Sequence, residues 1–365
     1  GKKGEVRISW QGLIDSQEKS SKPDGYLLYI AMGDGGFDNG TPLRGTSCNV
    51  KLQPGVLYSF QVRAFNEGGQ SFPTEVLSAY YNPTARHTAL VVNGFHRLSS
   101  PAISTVGQGF NMDEDPGITY GRTAGWLGRQ LVFDTTKMGI EDSTGLGFSS
   151  SELAGKFIAG NDFNYARTHA DAIALTGRFN VVSASAQAVE AGNLQLSQYD
   201  VVDLLLGLER NDGHSLVNYK SFTLPLQNQL RNYVNRHGNL LTSGAYIGTD
   251  MREPAERQFL ADVLKVECPD TYRDVSGQVN GLGLTFSFHH QLNEQHYAAT
   301  RTDVLMPADS QAFPAMVYAN GTSAAVAYGG QDCHTFTMGF PFECITDRPI
   351  RTALMNGILN YLIPN

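Results

Sequence analysis

Side chains capable of acid–base chemistry stand just beyond three apolar runs of the sequence. His96, Glu209 and Tyr246 each lie one or two residues after such a run. A carboxyl group such as that of Glu209 can act as a general acid or base when burial raises its pKa, and imidazole and phenol groups can also transfer protons. These three residues form the candidate catalytic set.

Further polar residues occupy the same positions relative to the apolar runs and are candidate ligand-binding residues: Asn93, Arg97, Arg210 and Asp250. In an open α/β sheet the loops after the strands meet at one edge, and ligands bind in the crevice there. If the apolar runs are parallel strands, all of these side chains line one crevice.

Each candidate also has a purely structural interpretation. Glu209 can form an ion pair with Arg97 or Arg210, and His96 can hydrogen-bond to loop backbone. Tyr246 can simply close the space at the end of its strand. The residue types alone leave both interpretations open.

The elements that would position these side chains alternate between strand and helix in the second part of the chain. Residues 88–94 form a continuous apolar run, which is typical of a central parallel strand. Residues 225–237 have helical spacing and are followed at once by the strand 239–244. Asn320-Gly321 predicts a hairpin that adds an antiparallel arm. This alternation predicts a doubly wound α/β layer with a parallel sheet.

The stretch from about 97 to 165 interrupts this alternation. It is rich in Gly, Asp, Ser and Thr and has little periodicity. Long excursions of this kind in compact domains are usually functional or disordered. Because it follows the first strand, we expect it to cover the crevice.

The first part of the chain has the two-residue periodicity of a strand with one buried face. Every second residue from Tyr58 to Ala64 is apolar. This stretch resembles strand F of a fibronectin type III domain, with Tyr58 as the corner tyrosine and Trp10 as the core tryptophan. The resemblance implies an immunoglobulin-like β-sandwich over residues 1–83.

A second resemblance concerns residues 233–248. They resemble the helix, strand and elbow of class I glutamine amidotransferase-like domains, which are flavodoxin-like, and imply such a domain over residues 84–365. The family pattern is Gly-x-Cys-x-Gly, whereas this chain has Tyr246 between Gly244 and Gly248. A phenol, with a pKa near ~10, does not replace a thiolate nucleophile. Glutaminase activity is therefore not expected.

The order of the two modules, together with residues 89–97 and 339–343, resembles a group of exported Bacteroidetes proteins. These proteins are commonly labelled xanthan lyase-like, or are linked to golvesin-like and N-acetylmuramoyl-L-alanine amidase domains. The resemblance implies an extracytoplasmic location (periplasmic, cell-surface or secreted), a glycan or muropeptide ligand, and neighbouring domains in a longer chain.

Composition argues against several other partners. The net charge of −8 and the pI near 5.6 disfavour binding to nucleic acid. No apolar run approaches the ~20 residues of a membrane span, since even the run 201–208 is short and contains Asp203. No glycine-rich phosphate loop is present, and we expect no cofactor.

Metal and disulfide signals are weak. The acidic turn 113–115 lacks the full spacing of a calcium loop, and the three histidines at 289, 290 and 296 lack a zinc spacing, so we expect no metal site. Cys333 and Cys344 can either pair across a hairpin or remain buried free thiols.

Two functions remain. The first is a non-catalytic, ligand-binding or scaffold region of an exported glycan- or peptidoglycan-processing protein. The alternative is a hydrolase or lyase that acts on carbohydrate or peptidoglycan through Glu209 and His96. The missing elbow cysteine favours the first.

Overall fold

The structure is a computed structural model of the chain. It describes residues 4–94, 164–211 and 220–364, except 15, 19–21, 273–275, 292, 294 and 332, together with five short strands between residues 102 and 159.

The first part of the chain is built from strands alone: β1 (Glu5–Ser9), β2 (Gly25–Met32), β3 (Thr41–Leu43), β4 (Ser47–Lys51), β5 (Leu57–Asn66), β6 (Gly69–Gln70) and β7 (Leu77–Tyr80). β1 pairs with β4 in a separate antiparallel pair, while β2 and β7 flank β5. Side chains of both groups meet in one apolar cluster.

Tyr58 and Trp10 both belong to this cluster. Tyr58 is buried, and its hydroxyl accepts a hydrogen bond from the backbone N–H of Gln53 at 3.2 Å. Trp10 is half-buried, and its ring lies edge-on to that of Tyr26 with the centroids 5.5 Å apart. The two aromatic rings thus contribute to the apolar cluster of the first part of the chain.

The second part combines strands and helices. Its strands are β8 (His87–Asn93), β9 (Ala102–Ser104), β10 (Gly109–Asn111), β11 (Arg122–Ala124), β12 (Phe133–Asp134), β13 (Phe157–Ala159), β14 (Phe179–Ser185), β15 (Val201–Gly207), β16 (Asn239–Gly244), β17 (Val266–Tyr272), β18 (Gln278–Gly281), β19 (Leu284–Ser287), β20 (Thr302–Pro307), β21 (Ala312–Tyr318), β22 (Ser323–Gly329) and β23 (His334–Met338). Its α-helices are α1 (Tyr165–Ala174), α2 (Ala186–Glu190), α3 (Leu224–Val234), α4 (Pro254–Phe259) and α5 (Arg348–Leu362).

One 14-stranded mixed sheet includes strands from both parts, in the order β19-β18-β21-β22-β23-β16-β15-β8-β14-β7-β5-β2-β3, with β6 paired to β5. The strands β14, β8, β15, β16 and β23 are mutually parallel. β7 joins β14 in antiparallel fashion, with Tyr80 opposite Val181.

This continuous sheet contradicts the predicted fold class. A β-sandwich followed by a separate doubly wound, flavodoxin-like α/β domain is wrong, because in the described part of the chain strand residues outnumber helical ones and one large mixed sheet includes strands of both parts. The two parts share one sheet because of the backbone groups at the edge of β14. A parallel strand at the end of a sheet exposes unpaired backbone groups, and here β7 pairs with them.

Apolar side chains cover both faces of the parallel strands. In β8, Ala89 and Val91 pack in one cluster with α1 and α5, while Leu90 and Val92 pack in another with α2, α3 and α4. This two-sided burial explains the continuous apolar run in the sequence.

Hydrogen bonds strengthen the junction between the two parts. The Ser183 hydroxyl accepts from the backbone N–H of Ser78 at 2.6 Å and donates to the Ser78 carbonyl at 2.7 Å. The Asn180 side chain accepts from the backbone N–H of Asn82 at 2.8 Å. Arg167 of α1 reaches the Gly33 carbonyl. The first part is therefore held on the sheet by side chains as well as by strand pairing.

Several local predictions are confirmed. β21 and β22 form an antiparallel hairpin, and Gly321 in the turn has φ of 83°, which glycine tolerates. α3 and β16 follow one another as expected. For Cys333 and Cys344, where the sequence left pairing open, the structure has free buried thiols, and Cys48 and Cys268 are free as well. No helix in the described part of the chain is long and apolar enough to cross a membrane.

Candidate functional site

The elbow is the turn of residues 245–250, which follows β16 and precedes α4. Gly244 and Gly248 lie two residues before and two residues after Tyr246, and close packing leaves no room for a side chain at either. A Cβ at Gly244 would lie 2.9 Å from the Leu206 side chain, and one at Gly248 would lie 2.0 Å from Cβ of Cys268. Since real Cβ contacts are not that short, the Gly-x-Tyr-x-Gly pattern reflects the approach of the turn to its neighbours.

Tyr246 fills the elbow. Only 6% of its surface is exposed, and the Arg210 guanidinium carbon lies 4.6 Å from the centre of its ring. This distance is typical of a cation–π contact. The tyrosine and arginine together close the elbow.

Ser221 connects the elbow to the segment after β15. Its hydroxyl lies 2.9 Å from the carbonyl oxygens of both Glu209 and Tyr246 and can donate to either. Asp250 supports the same connection, because its carboxylate accepts from the backbone N–H groups of Asn211 at 3.0 Å and Ser221 at 2.8 Å. These contacts hold Glu209, Tyr246 and Asp250 in one network.

Asp303, which lies in β20, occupies the backbone N–H groups of the elbow. Its Oδ2 accepts from Gly248 at 2.6 Å and from Thr249 at 3.1 Å, and its Oδ1 accepts from the Thr249 hydroxyl at 2.8 Å. Asp303 is fully buried, and burial raises its pKa to about 7 against the opposing effect of these donors. Amides in such a turn could otherwise stabilise an oxyanion. Here the Gly248 and Thr249 amides already donate to the Asp303 carboxylate.

The structure brings together only part of the predicted crevice. Glu209 is 3% exposed and lies with Tyr246 in the network held by Ser221. Asn93 is the last residue of β8, is buried, and is in register with Leu205 of β15.

The other two predicted site residues, His96 and Arg97, lie outside the described residues, as does most of the 97–165 excursion. The predicted cover of the crevice, the joint action of Glu209 with His96 and an ion pair of Glu209 with Arg97 therefore stay predictions.

A buried ionic cluster was not predicted. His169 of α1 places Nδ1 2.7 Å from Oδ2 of Asp203 and Nε2 3.1 Å from Oε2 of Glu343. The Tyr297 hydroxyl donates to Oε1 of Glu343 at 2.6 Å. All four side chains are at most 1% exposed. Asp203 was the available signal, since a carboxylate inside a continuous apolar strand needs a buried partner.

The charges in this cluster stabilise one another. Burial alone would lower the pKa of His169, but the charge of Asp203 and the hydrogen bonds to Asp203 and Glu343 raise it to about 10. Burial alone would raise the pKa of Glu343, whereas its hydrogen bond to His169 lowers it. The cluster is an imidazolium held between two carboxylates.

Cys344 and His296 lie close together, with Sγ 3.8 Å from Nδ1. Cys344 is fully buried, and burial raises the pKa of its thiol well above the usual value. Burial also lowers the pKa of His296 to about 4. Both groups are therefore neutral near pH 7, which is the opposite of an activated thiolate–imidazolium pair.

Metal ligation finds no support within the described residues, where no three His, Cys, Asp or Glu side chains are grouped as metal ligands would be. The rings of His289 and His296 stack with their centroids 5.3 Å apart. The acidic turn 113–115 lies outside the described residues.

Comparison with known proteins gives no family. No family model and no curated protein matches the chain. Among solved structures, a twitchin kinase region from C. elegans is 22% identical with a TM-score of 0.20, covering 22% of this chain and 14% of that one. An exo-β-1,4-mannosidase from an Opitutaceae bacterium is 12% identical with a TM-score of 0.37, covering 55% and 31%. A cytoplasmic protein from Salmonella typhimurium is 14% identical with a TM-score of 0.38, covering 75% and 98%.

The chain thus spans less than a third of the first two structures that it matches. All three TM-scores are below 0.5, so the similarities establish neither fold nor function.

Proposed function

We propose that this chain is a non-catalytic, ligand-binding or scaffold region of an exported glycan- or peptidoglycan-processing protein. The observation that supports it is the closed elbow. Tyr246 fills the elbow against Arg210, and Asp303 accepts from the Gly248 and Thr249 amides. An acyl-transfer site needs both a nucleophile and oxyanion donors, whereas this turn has a phenol in place of a thiol and two of its amides are bonded to Asp303.

The glycan assignment and the extracytoplasmic location rest on the sequence resemblance of residues 89–97 and 339–343 to exported Bacteroidetes proteins. Glycan or muropeptide ligands and neighbouring domains are the partners that this resemblance implies. The closed elbow supports only the statement that the region is non-catalytic.

The geometry also favours this proposal over a hydrolase or lyase that uses Glu209. A general acid or base must come within hydrogen-bond distance of the proton that it transfers. Glu209 is 3% exposed, and its backbone carbonyl is within hydrogen-bond distance of the Ser221 hydroxyl in the network that holds the elbow. Burial of the side chain restricts the access of a substrate to the Glu209 carboxyl group.

A turnover experiment tests the proposal. The purified chain is incubated with peptidoglycan and with acidic and neutral polysaccharides, and soluble products are measured by mass spectrometry. We expect no product above the level of a heat-inactivated sample. Product formation that is lost in Glu209→Gln, but retained in the exposed control Glu67→Gln at unchanged melting temperature, would establish the hydrolase or lyase instead.

A further inference from the structure

A polar depression of about 290 Å³ lies between α3 and the segment that links α2 to β15. Its volume is at the lower end of the ~300–1,000 Å³ found for ligand pockets. The segment 192–197 precedes β15, and the end of α3 precedes β16. The depression is therefore at the edge of the sheet where these strands begin, opposite the elbow.

One wall is formed by α3 and the turn that follows it. Gln229, Asn232 and Arg236 line the depression. Gln229 and Asn232 are three residues apart on one face of α3, and Arg236 lies in the turn that follows the helix. Asn232 and Arg236 are exposed. Within the described part of the chain, no carboxylate forms an ion pair with Arg236.

The opposite wall is close and also polar. Gln195 and Ser197 line it with exposed side chains. At Gly192, where φ is 70°, an added Cβ would lie 3.9 Å from Nε2 of Gln229. The two walls therefore approach each other closely at Gly192 and Gln229, which close this end of the depression.

The floor is apolar and fixed. Leu196 and Tyr233 are 5% and 3% exposed. The Tyr233 hydroxyl is held by the carbonyl oxygens of Tyr199 at 3.2 Å and Asn239 at 3.1 Å. A ligand would therefore meet a floor that needs no rearrangement, which lowers the entropic cost of binding.

We propose that this depression binds a sugar ring that carries a carboxylate, such as a uronic acid residue. The ring hydroxyls bond to the amides of Gln195, Gln229 and Asn232, and the ring lies above Leu196 and Tyr233, which expose little of their surface. Arg236 binds the carboxylate through a bidentate, charge-assisted pair. This proposal names the ligand class for the glycan-binding role proposed above and so rests on it.

Binding of glucuronate is measured by isothermal titration and by saturation-transfer NMR, with glucose and acetate as controls. We expect saturable binding of glucuronate by the wild-type chain and binding at least about tenfold weaker for glucose, which lacks the carboxylate. Acetate, which lacks the ring, should bind weaker still. Arg236→Ala should weaken glucuronate binding about tenfold or more. The control Arg257→Ala, an exposed arginine on α4, should leave it unchanged.

Equal affinity for glucuronate and glucose, or unchanged glucuronate binding in Arg236→Ala, would overturn the site. Failure of glucuronate to saturate the wild-type chain at about 10 mM would also overturn it. The proposed function fails by a different result, namely turnover of a polysaccharide that depends on Glu209. That result would leave glucuronate binding at Arg236 intact, so the two failures are distinguishable.

Discussion

Oδ2 of Asp303 lies 2.6 Å from the backbone nitrogen of Gly248 and accepts its hydrogen bond. This contact places a carboxylate from β20 at the elbow that follows β16. It satisfies a buried backbone donor, and it also prevents that donor from serving a substrate. The same interaction therefore supports the fold and opposes catalysis.

Asp303→Ala is expected to lower the free energy of unfolding by about 2–4 kcal/mol, because the Gly248 and Thr249 amides lose their buried acceptor. Asp303→Asn keeps an acceptor oxygen and is the matched control, with an expected loss under about 1.5 kcal/mol at pH 5. Urea unfolding followed by circular dichroism measures both. Equal losses in the two variants would show that the amides do not depend on this acceptor.

The difference in stability between the wild type and Asp303→Asn is expected to depend on pH. The pKa of Asp303 is about 7 when folded, against ~3.9 in an unfolded chain, so the folded protein holds this proton more tightly. Its contribution to stability is greatest below about pH 4 and decreases as the pH rises through 7. This decrease is absent in Asp303→Asn. The free energy of unfolding of the variant should therefore rise relative to that of the wild type between pH 5 and 8. A constant difference across that range would contradict the assignment.

Tyr246→Cys restores the residue type of the amidotransferase-like nucleophile but should not restore glutaminase activity. The Gly248 and Thr249 amides would still be bonded to Asp303 and could not stabilise an oxyanion formed at the new thiol. Ammonia release from glutamine is the measurement, with Tyr246→Phe as the control that keeps the ring beneath Arg210. Ammonia released by the cysteine variant and not by the phenylalanine variant would show that the elbow is open.

The sequence predicted individual elements better than their assembly. The continuous apolar run 88–94 indicated a buried parallel strand, and the turn at Asn320-Gly321 indicated a hairpin, because both signals are local. The pairing of β7 with β14 was not predictable in this way, since periodicity shows which face a strand buries and not which strand lies beside it.

Contacts between distant parts of the chain at the candidate site were likewise not predictable from local sequence patterns. Glu209 and Tyr246 follow neighbouring parallel strands, and their backbone carbonyls are both within reach of the Ser221 hydroxyl; that their side chains line one crevice stays a prediction. Asp303 reaches the elbow from a strand more than fifty residues later in the chain, and no local pattern indicates that contact. His169 and Glu343 likewise meet across 174 residues.

His169→Ala is expected to lower the free energy of unfolding by about 3–5 kcal/mol, because Asp203 and Glu343 would remain buried without their cation. In the wild type the pKa of His169 is about 10 when folded and ~6.5 when unfolded. Its stabilisation is therefore complete below about pH 6.5 and is lost as the pH rises through 10.

Denaturant unfolding at several pH values between 6.5 and 10 tests this, and the wild-type profile is informative even if the variant does not fold. Stability that stays constant over this range would contradict an imidazolium at His169. The solvent-exposed control His237→Ala should retain the wild-type profile.

Ser183→Ala is expected to weaken the junction between the two parts of the chain. It removes the partner of both the N–H and the carbonyl of Ser78, which should cost about 1–3 kcal/mol. Thermal unfolding followed by near- and far-ultraviolet circular dichroism is the measurement, with the exposed Ser16→Ala as control. A variant as stable as the control would show that the serine contacts do not hold the junction.

Hydrogen–deuterium exchange at the elbow tests the closed site most directly. Mass spectrometry of peptides that span residues 244–250 reports on the Gly248 and Thr249 amides, which are bonded to Asp303. A closed, non-catalytic elbow predicts strong protection in the wild type without any ligand, and loss of that protection in Asp303→Ala. Rapid exchange of these amides in the wild type, as in an exposed loop, would contradict the account and leave the elbow available for catalysis.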